Sequence, residues 1–116
     1  MNNFDAESYA SSQRKRNEAE KKRIGERAKE AMREAKRIAA SLLHEAGVEK
    51  VVLFGSLAEN SVRDEKFDID LAVWGGDWRI AHAIGEKSPF KIDIVEYDYL
   101  PSHLKKRIEK RGRTLP

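Results

Sequence analysis

Two aspartates that stand two positions apart lie in a segment with the alternating pattern of a β-strand. Asp68 and Asp70 alternate with Ile69 and Leu71 in the stretch FDIDLAVW. Side chains two residues apart on a strand project from the same face, so both carboxylates share one face. The side chains of Ile69 and Leu71 then point the other way, toward the core. Like charges this close repel one another unless a cation neutralises them, and Mg²⁺ held by carboxylates and phosphate oxygens suits such a pair.

A third aspartate occupies an equivalent place in a second alternating segment. Asp93 lies between Ile92 and Ile94 in the stretch KIDIVEYD. If this strand pairs beside the first with the apolar faces aligned, Asp93 joins the other two carboxylates. Three carboxylates on neighbouring strands are typical of a one- or two-metal centre for phosphoryl or nucleotidyl transfer. The alternative is a solvated strand face on which aspartate is tolerated, although aspartate is depleted in strands.

A glycine–serine pair, Gly55 and Ser56, ends the strand that precedes these two segments. Glycine lets the backbone approach a ligand closely, the N–H groups beyond it can hold phosphate oxygens, and the serine hydroxyl adds a donor. A glycine–serine pair alone is more typical of a plain turn. It indicates phosphate binding here only because it precedes the three aspartates. No serine–histidine pattern supports Ser56 as a covalent nucleophile, which favours phosphate binding.

Together these segments resemble the nucleotidyltransferase superfamily that includes DNA polymerase β, and in particular the minimal nucleotidyltransferases of prokaryotes. The matching stretches are VVLFGSLAEN, FDIDLAV and KIDIVEYD, and the basic end HLKKRIEKRGRTLP also looks like the family. The family signature is a hydrophobic strand, Gly-Ser, about ten residues, Asp-x-Asp and a later strand aspartate. Here eleven residues separate Ser56 from Asp68, and the resemblance covers roughly residues 30–116.

The resemblance implies roles for the residues singled out above. Asp68, Asp70 and Asp93 become catalytic residues and Mg²⁺ ligands, and Gly55 and Ser56 become nucleotide-binding residues. Proteins of this kind are commonly encoded with a HEPN-domain toxin, and some transfer AMP from ATP to a tyrosine hydroxyl of that partner. Others act mainly by binding. The sequence therefore leaves two functions open: a Mg²⁺-dependent protein adenylyltransferase antitoxin, and a non-catalytic antitoxin that neutralises a HEPN RNase by complex formation.

Two positions depart from the family pattern. Many members have arginine directly after Gly-Ser and glycine three residues later, where this chain has Leu57 and Asn60. These changes leave the three aspartates in place but bear on nucleotide affinity and substrate choice. Arg63 is the first cation after the motif, and its position relative to the site does not follow from the sequence.

Hydrophobic periodicity predicts the elements that position these residues. Residues 1–20 are polar without core-like spacing, so a frayed or extended start is expected. A long amphipathic helix is predicted from about Lys21, with an alanine-rich stripe that includes Ile24 and Leu42 and an end at Gly47. This stripe is longer than a small sheet needs, so its first turns, around Ile24, are expected to contact a partner or a second copy of the chain.

The rest of the chain predicts a single domain over residues 21–116. Three strands, a short helix capped by Asp77 and a final basic helix that reaches Gly112 give an α/β (α+β) fold, with about three strands in a mixed sheet flanked by helices. The resemblance implies the same small nucleotidyltransferase fold with its long N-terminal helix.

Composition narrows the class of protein. The 116 residues include no cysteine, which excludes disulfides and thiol chemistry. No apolar run approaches the length of a membrane span and no signal peptide is visible at the start, so a cytoplasmic protein without membrane contact is expected. Residues 51–100 carry a net charge of −5 between basic flanks. A nucleic-acid-coating protein would be basic throughout, so direct nucleic-acid binding is not expected.

Overall fold

A computed structural model of the chain describes residues 6–116. In chain order its elements are α1 (Ala6–Glu45), β1 (Lys50–Phe54), β2 (Ile69–Trp74), α2 (Trp78–Glu86), β3 (Ile92–Glu96), a short 3₁₀ helix (Tyr97–Tyr99), α3 (Ser102–Arg111) and β4 (Arg113–Leu115). The strands form one sheet in the order β3-β2-β1-β4. β2 and β3 are parallel and the other neighbours are antiparallel, so the predicted mixed α/β fold is confirmed.

Alternation along the strands gives the sheet two apolar faces of unequal size. One face packs against α1 and α2 and forms the main core, whose largest fully buried side chains are Ile38, Leu42, Leu53, Ile69 and Leu71. The opposite face carries a smaller cluster in which Ile108 of α3 packs against Val52 and Ala72. The larger face fixes the register of the strands, because a slip of one residue would expose its whole apolar set.

The end of α1 follows the sequence prediction. Gly47 has a φ of +67°, the left-handed conformation that glycine adopts most readily after a helix. The N–H of Val48 donates to the Leu42 carbonyl at 3.2 Å, which satisfies one of the last carbonyls of the helix. The chain then turns directly into β1. Although α1 has 40 residues, neither it nor any other helix in residues 6–116 is long and apolar enough to span a membrane.

The structure differs from the prediction at the start of α1. Residues 6–20, expected to be frayed or extended, are helical, while residues 1–5 lie outside the described part of the chain. The physical reason is local: this stretch is rich in Ala, Glu, Lys, Arg and Gln, which have high helix propensity. Opposite charges such as Glu18 and Lys22 are also spaced four residues apart. Residues 6–20 are therefore helical although they lack an apolar stripe.

The C-terminal half matches the prediction more closely, with one added strand. The Asp77 carboxylate caps α2 by accepting the Arg79 and Ile80 amides at 2.9 and 3.3 Å. β4 adds a fourth strand beside β1, where Arg113 is the register partner of Leu53. Only three residues long and rich in polar atoms, β4 carries no strand pattern of its own and depends on β1 for its conformation.

Candidate active site

The pairing of β2 with β3 brings two of the predicted carboxylates opposite each other. Asp70 and Asp93 are register partners on the two parallel strands. Each alternates with side chains of the main core, such as Leu71 and Ile94, so both project from the face that also carries α3. Asp68 precedes β2 in the same alternation. The register therefore places Asp93 beside Asp70 on one face.

Gly55 approaches the same carboxylates from β1. β1 ends at Phe54, whose register partner is Asp70, so Gly55 follows directly beside that carboxylate. Its φ is +80°, and a β-carbon built on it would overlap an oxygen of the Asp70 carboxylate. The position therefore requires glycine both for its backbone conformation and for the space that Asp70 occupies.

The chain turns sharply after Gly55. The Glu59 N–H donates to the Gly55 carbonyl at 3.1 Å, and the Ser61 N–H donates to the Ser56 carbonyl at 2.9 Å. Amides that precede the first bond of such turns are left for other acceptors, as at the start of a helix. Within residues 6–116, no backbone carbonyl accepts a hydrogen bond from the amides of Ser56 or Leu57. The turn thus offers N–H donors next to the carboxylates.

Asp70 has the most perturbed acidity in this group. Burial, followed by the negative charges of Asp93 and Asp68, raises its pKa from 3.8 to about 6, while the Lys91 ammonium acts in the opposite direction. The three carboxylates therefore repel one another in the protein alone. A cation placed among them would relieve that repulsion and lower the pKa of Asp70.

Lys91 is a neighbour of this group that the sequence analysis missed. Its ammonium Nζ lies 3.6 Å from Oδ2 of Asp68. Lys91 directly precedes β3, and the parallel register carries it to the level of Asp68. The signal was present in the sequence, because Lys91 stands two residues before Asp93 as Asp68 stands two residues before Asp70.

The carboxylates are ligands of the type that a hard divalent cation prefers, but their side chains are not gathered around one point in this structure. Carboxylate oxygens are the ligands that Mg²⁺ prefers, and Asp70 and Asp93 face the same space. Across the described residues, however, no three His, Asp or Glu side chains are gathered closely enough to hold a metal ion. The Asp68 carboxylate lies beside the Lys91 ammonium. Asp68 and Asp70 would hold the ion once Asp68 leaves Lys91, and Asp93 could supply a further oxygen.

A second feature missed by the sequence analysis ties the Gly55 turn to α3. The Glu59 carboxylate accepts two hydrogen bonds from Arg107, both 3.1 Å, and one from Arg111 at 3.1 Å. These bonds lower the pKa of Glu59, and its side chain is only 13% exposed. The two arginines come from the basic end of the chain, for which the sequence predicted a helix but no partner. The ion pairs fix the turn against the end of α3.

A cavity of about 430 Å³ opens at the free edge of β3, next to Asp93. Its walls are formed by α2 and β3, with Trp78 and His82 on one side and Ile92 on the other. Trp78 is 41% exposed, which is high for so large an apolar side chain. The cavity therefore lies on the α2 side of β3, whereas the Asp93 carboxylate projects from the opposite face of the strand.

The two departures from the family pattern and the following cation lie away from the carboxylates. Leu57 is buried in the main core at 3% exposure, so the position after Gly-Ser contributes packing rather than charge. Asn60 is exposed with a φ of +54°, a left-handed conformation that asparagine tolerates. Arg63 lines a cavity against α1, on the side of the loop that faces the main core.

Comparison with known families now identifies the class of protein. The family model described as polymerase beta, nucleotidyltransferase, matches residues 36–116. The chain therefore belongs to the polymerase β nucleotidyltransferase family, which supports a general role in nucleotidyl transfer. The matched region includes every residue of the candidate site and excludes most of α1. A search of curated proteins gave no match.

Proposed function

We propose that this chain is a Mg²⁺-dependent nucleotidyltransferase antitoxin of the cytoplasm, which transfers AMP from ATP to a tyrosine hydroxyl of a partner HEPN-domain toxin. The observation that carries the proposal is the pairing of Asp70 with Asp93 beside Gly55, in a chain of the polymerase β family. A protein that only binds its partner has no need to keep mutually repelling carboxylates on one strand face. The raised pKa of Asp70 is the sign of that repulsion.

The nucleotide end of the site is assigned to β2 and to the turn that follows β1 at Gly55 and Ser56. Asp68 and Asp70 would hold Mg²⁺, which when bound neutralises the triphosphate and helps orient it. The unbonded amides at Ser56 and Leu57 supply donors for phosphate oxygens, and the Ser56 hydroxyl adds another. Gly55 keeps the backbone close enough for this because it has no side chain. The turn is held rigid by Glu59 and its arginine partners.

The acceptor end is assigned to Asp93. Asp93 is exposed on the edge strand of the sheet, so an acceptor side chain can approach its carboxylate from solvent. In the transfer, the acceptor hydroxyl oxygen forms a bond to the α-phosphorus of ATP and the bond to the β-phosphate oxygen breaks. The hydroxyl proton passes to the Asp93 carboxylate and pyrophosphate leaves. The products are an AMP ester of the partner and pyrophosphate.

A specific observation also favours the second function, neutralisation by binding alone. Leu57 is buried at the position where many relatives have an arginine, so that cation is missing from the turn. In the region from residue 6 onward the three carboxylates are also not gathered into a ready metal site. Both observations are compatible with a chain that has kept the fold and lost affinity for the nucleotide.

Mass spectrometry of the partner separates the two functions. A HEPN-domain protein, the proposed partner, is incubated with this chain, ATP and Mg²⁺, and a mass increase of one AMP on a tyrosine-containing peptide is expected. The matched control replaces ATP with its α,β-methylene analogue, in which the bond to be broken is a carbon–phosphorus bond, and should leave the partner unmodified. An unmodified partner whose RNase activity is nevertheless blocked would establish the binding-only function instead.

A further inference from the structure

A second cavity, of about 450 Å³, lies between α1 and the loop that joins β1 to β2. Its walls are mainly apolar, with Ile24 and Ala28 from the helix and Leu57 and Val62 from the loop. Two cations, Lys21 and Arg63, stand among the lining residues. Neither takes part in an ion pair with any residue of the described chain, in contrast to the arginines that hold Glu59.

Gly25 lines this cavity in the middle of a long helix. Glycine in a helix interior costs about 1 kcal/mol relative to alanine, so a packing or functional reason is expected for it. No packing reason is found among residues 6–116, because a β-carbon built on Gly25 meets no atom within 4 Å. The other helical glycine, Gly85, is different, because its β-carbon would press against Ile94 at 3.1 Å. The space in front of Gly25 is therefore open to solvent.

The helix that leads into the cavity is a solvated basic arm, which we define as residues 14–23 of α1. All ten residues of the arm are exposed, so no face of it packs on the domain. The arm carries six Lys and Arg against two Glu, and its one ion pair to the domain joins Arg23 to Glu65 at 3.1 Å. The arm and the helical wall of the cavity both precede the residues matched by the family model.

We propose that the arm and the cavity form one docking surface for an acidic helical segment of a different protein. An apolar side chain of that segment enters the cavity and approaches Gly25, while its carboxylates pair with Lys21, Arg63 and the cations of the arm. Charge complementarity determines the occupant, since the surface has unpaired positive charge around an apolar floor. The proposal goes beyond nucleotidyl transfer and applies to either candidate function, because it concerns how a partner is held.

Two other occupants fit less well. A second copy of the chain would bring two basic arms together and add like charges at close range. A single-stranded nucleic acid would gain from aromatic side chains on which its bases can stack, and none lines this cavity.

The test uses the full chain and three labelled probes in fluorescence anisotropy. The first probe is a synthetic amphipathic helix with leucine on one face and glutamate on the other, the second replaces its leucines with alanine, and the third is single-stranded oligouridine. Gly25→Phe fills the cavity without removing an existing contact, and Gly25→Ala is its matched control. Lys21→Glu combined with Arg63→Glu reverses the unpaired charges, and Lys106→Glu combined with Lys110→Glu makes the same charge change on α3.

The expected result is that the leucine–glutamate helix binds at least about tenfold more tightly than the alanine version. Gly25→Phe and the Lys21/Arg63 double variant should each weaken that binding at least about tenfold, while Gly25→Ala and the α3 variant keep it within about twofold. Calorimetric affinity for Mg²⁺·ATP should be the same in Gly25→Phe as in the unchanged chain, which separates this surface from the nucleotide site. Equal binding of both peptides, no binding, or tighter binding of oligouridine that Gly25→Phe abolishes would each overturn the proposal. So would a dimer in light scattering that Gly25→Phe dissociates.

Discussion

Gly55 and Asp70 are in such close contact that a single added methyl group on the glycine would occupy the place of a carboxylate oxygen. Gly55 ends one strand and Asp70 begins its antiparallel neighbour, so sheet pairing itself brings them together. The contact links the two halves of the candidate site, the turn that offers amide donors and the strand that offers carboxylates. A change at Gly55 should therefore act through Asp70.

Gly55→Ala should abolish nucleotide binding at a modest cost in stability. Its φ of +80° makes alanine unfavourable by about 1–2 kcal/mol, and the Asp70 carboxylate must move aside. Gly75→Ala is the matched control, because Gly75 has a similar φ of +69° but its β-carbon would meet nothing closer than 3.7 Å. Denaturant unfolding should show similar losses for both variants, whereas calorimetry with Mg²⁺·ATP should show a loss only for Gly55→Ala. Equal ATP affinity in the two variants would contradict the proposed link.

Asp70→Asn should stabilise the protein in the absence of metal and nucleotide, and mainly near neutral pH. Because the folded-state pKa of Asp70 is raised from 3.8 to about 6, the favourable contribution of its protonated form is complete below pH 3.8 and is lost as pH rises through about 6. Asparagine resembles the protonated form at every pH. We expect a gain of about 1–2 kcal/mol at about pH 7.5, reduced because Asp70 is only half-buried, and a much smaller gain at about pH 4.5. Denaturant unfolding at both pH values measures this, and a gain that does not grow with pH would contradict it.

Much of the site could be predicted because it depends on a period of two. Alternation fixes which face each aspartate occupies, and the apolar residues between them fix that face relative to the core. The pairing of Asp93 with Asp70 rather than with Asp68 could not be predicted. It depends on how α2 packs on β3, where Gly85 lies against Ile94.

The features that the sequence did not reveal are long-range or lack a hydrophobic pattern. Glu59 meets Arg107 and Arg111 about fifty residues further along the chain, and no local signal pairs a loop glutamate with a distant helix. The first turns of α1 are helical through intrinsic propensity, although no apolar stripe marks them. β4 is a strand because it pairs with the edge of β1. For the Glu59 ion pairs and for β4 a distant partner determines the structure, whereas the first turns of α1 are helical through their own composition.

Asp68→Asn combined with Asp70→Asn should remove Mg²⁺-dependent ATP affinity. The two side chains supply oxygen ligands from the same strand face, and loss of metal ligands typically costs ~10-fold or more in affinity. Asp64→Asn combined with Asp98→Asn makes the same change of charge at exposed positions away from the carboxylate group and should leave affinity unchanged. Isothermal titration with ATP, with and without Mg²⁺, distinguishes them. Normal Mg²⁺·ATP binding by the Asp68/Asp70 variant would place the site elsewhere.

Asp93→Asn should slow the transfer of AMP while leaving the affinity for Mg²⁺·ATP nearly unchanged. Asp68 and Asp70 would still anchor the metal and nucleotide, but the acceptor hydroxyl would lose the carboxylate that takes its proton. General-base catalysis contributes ~10²–10⁴-fold, so we expect at least a ~10²-fold loss in transfer rate, about 2.7 kcal/mol, with near-normal Mg²⁺·ATP affinity. Single-turnover transfer and equilibrium titration on the same preparation measure the two quantities. Parallel losses in rate and affinity would show that Asp93 serves binding rather than proton transfer.

The most direct test of the central claim is single-turnover transfer of label from α-³²P-ATP to the HEPN-domain partner, run with the unchanged chain, with Asp93→Asn and with the Asp64/Asp98 control. The account predicts that the unchanged chain and the control label the partner at the same rate, and that Asp93→Asn labels it at least ~10²-fold more slowly. Transfer at the unchanged rate by Asp93→Asn, or a partner that is neutralised by the unchanged chain while remaining unlabelled, would contradict it.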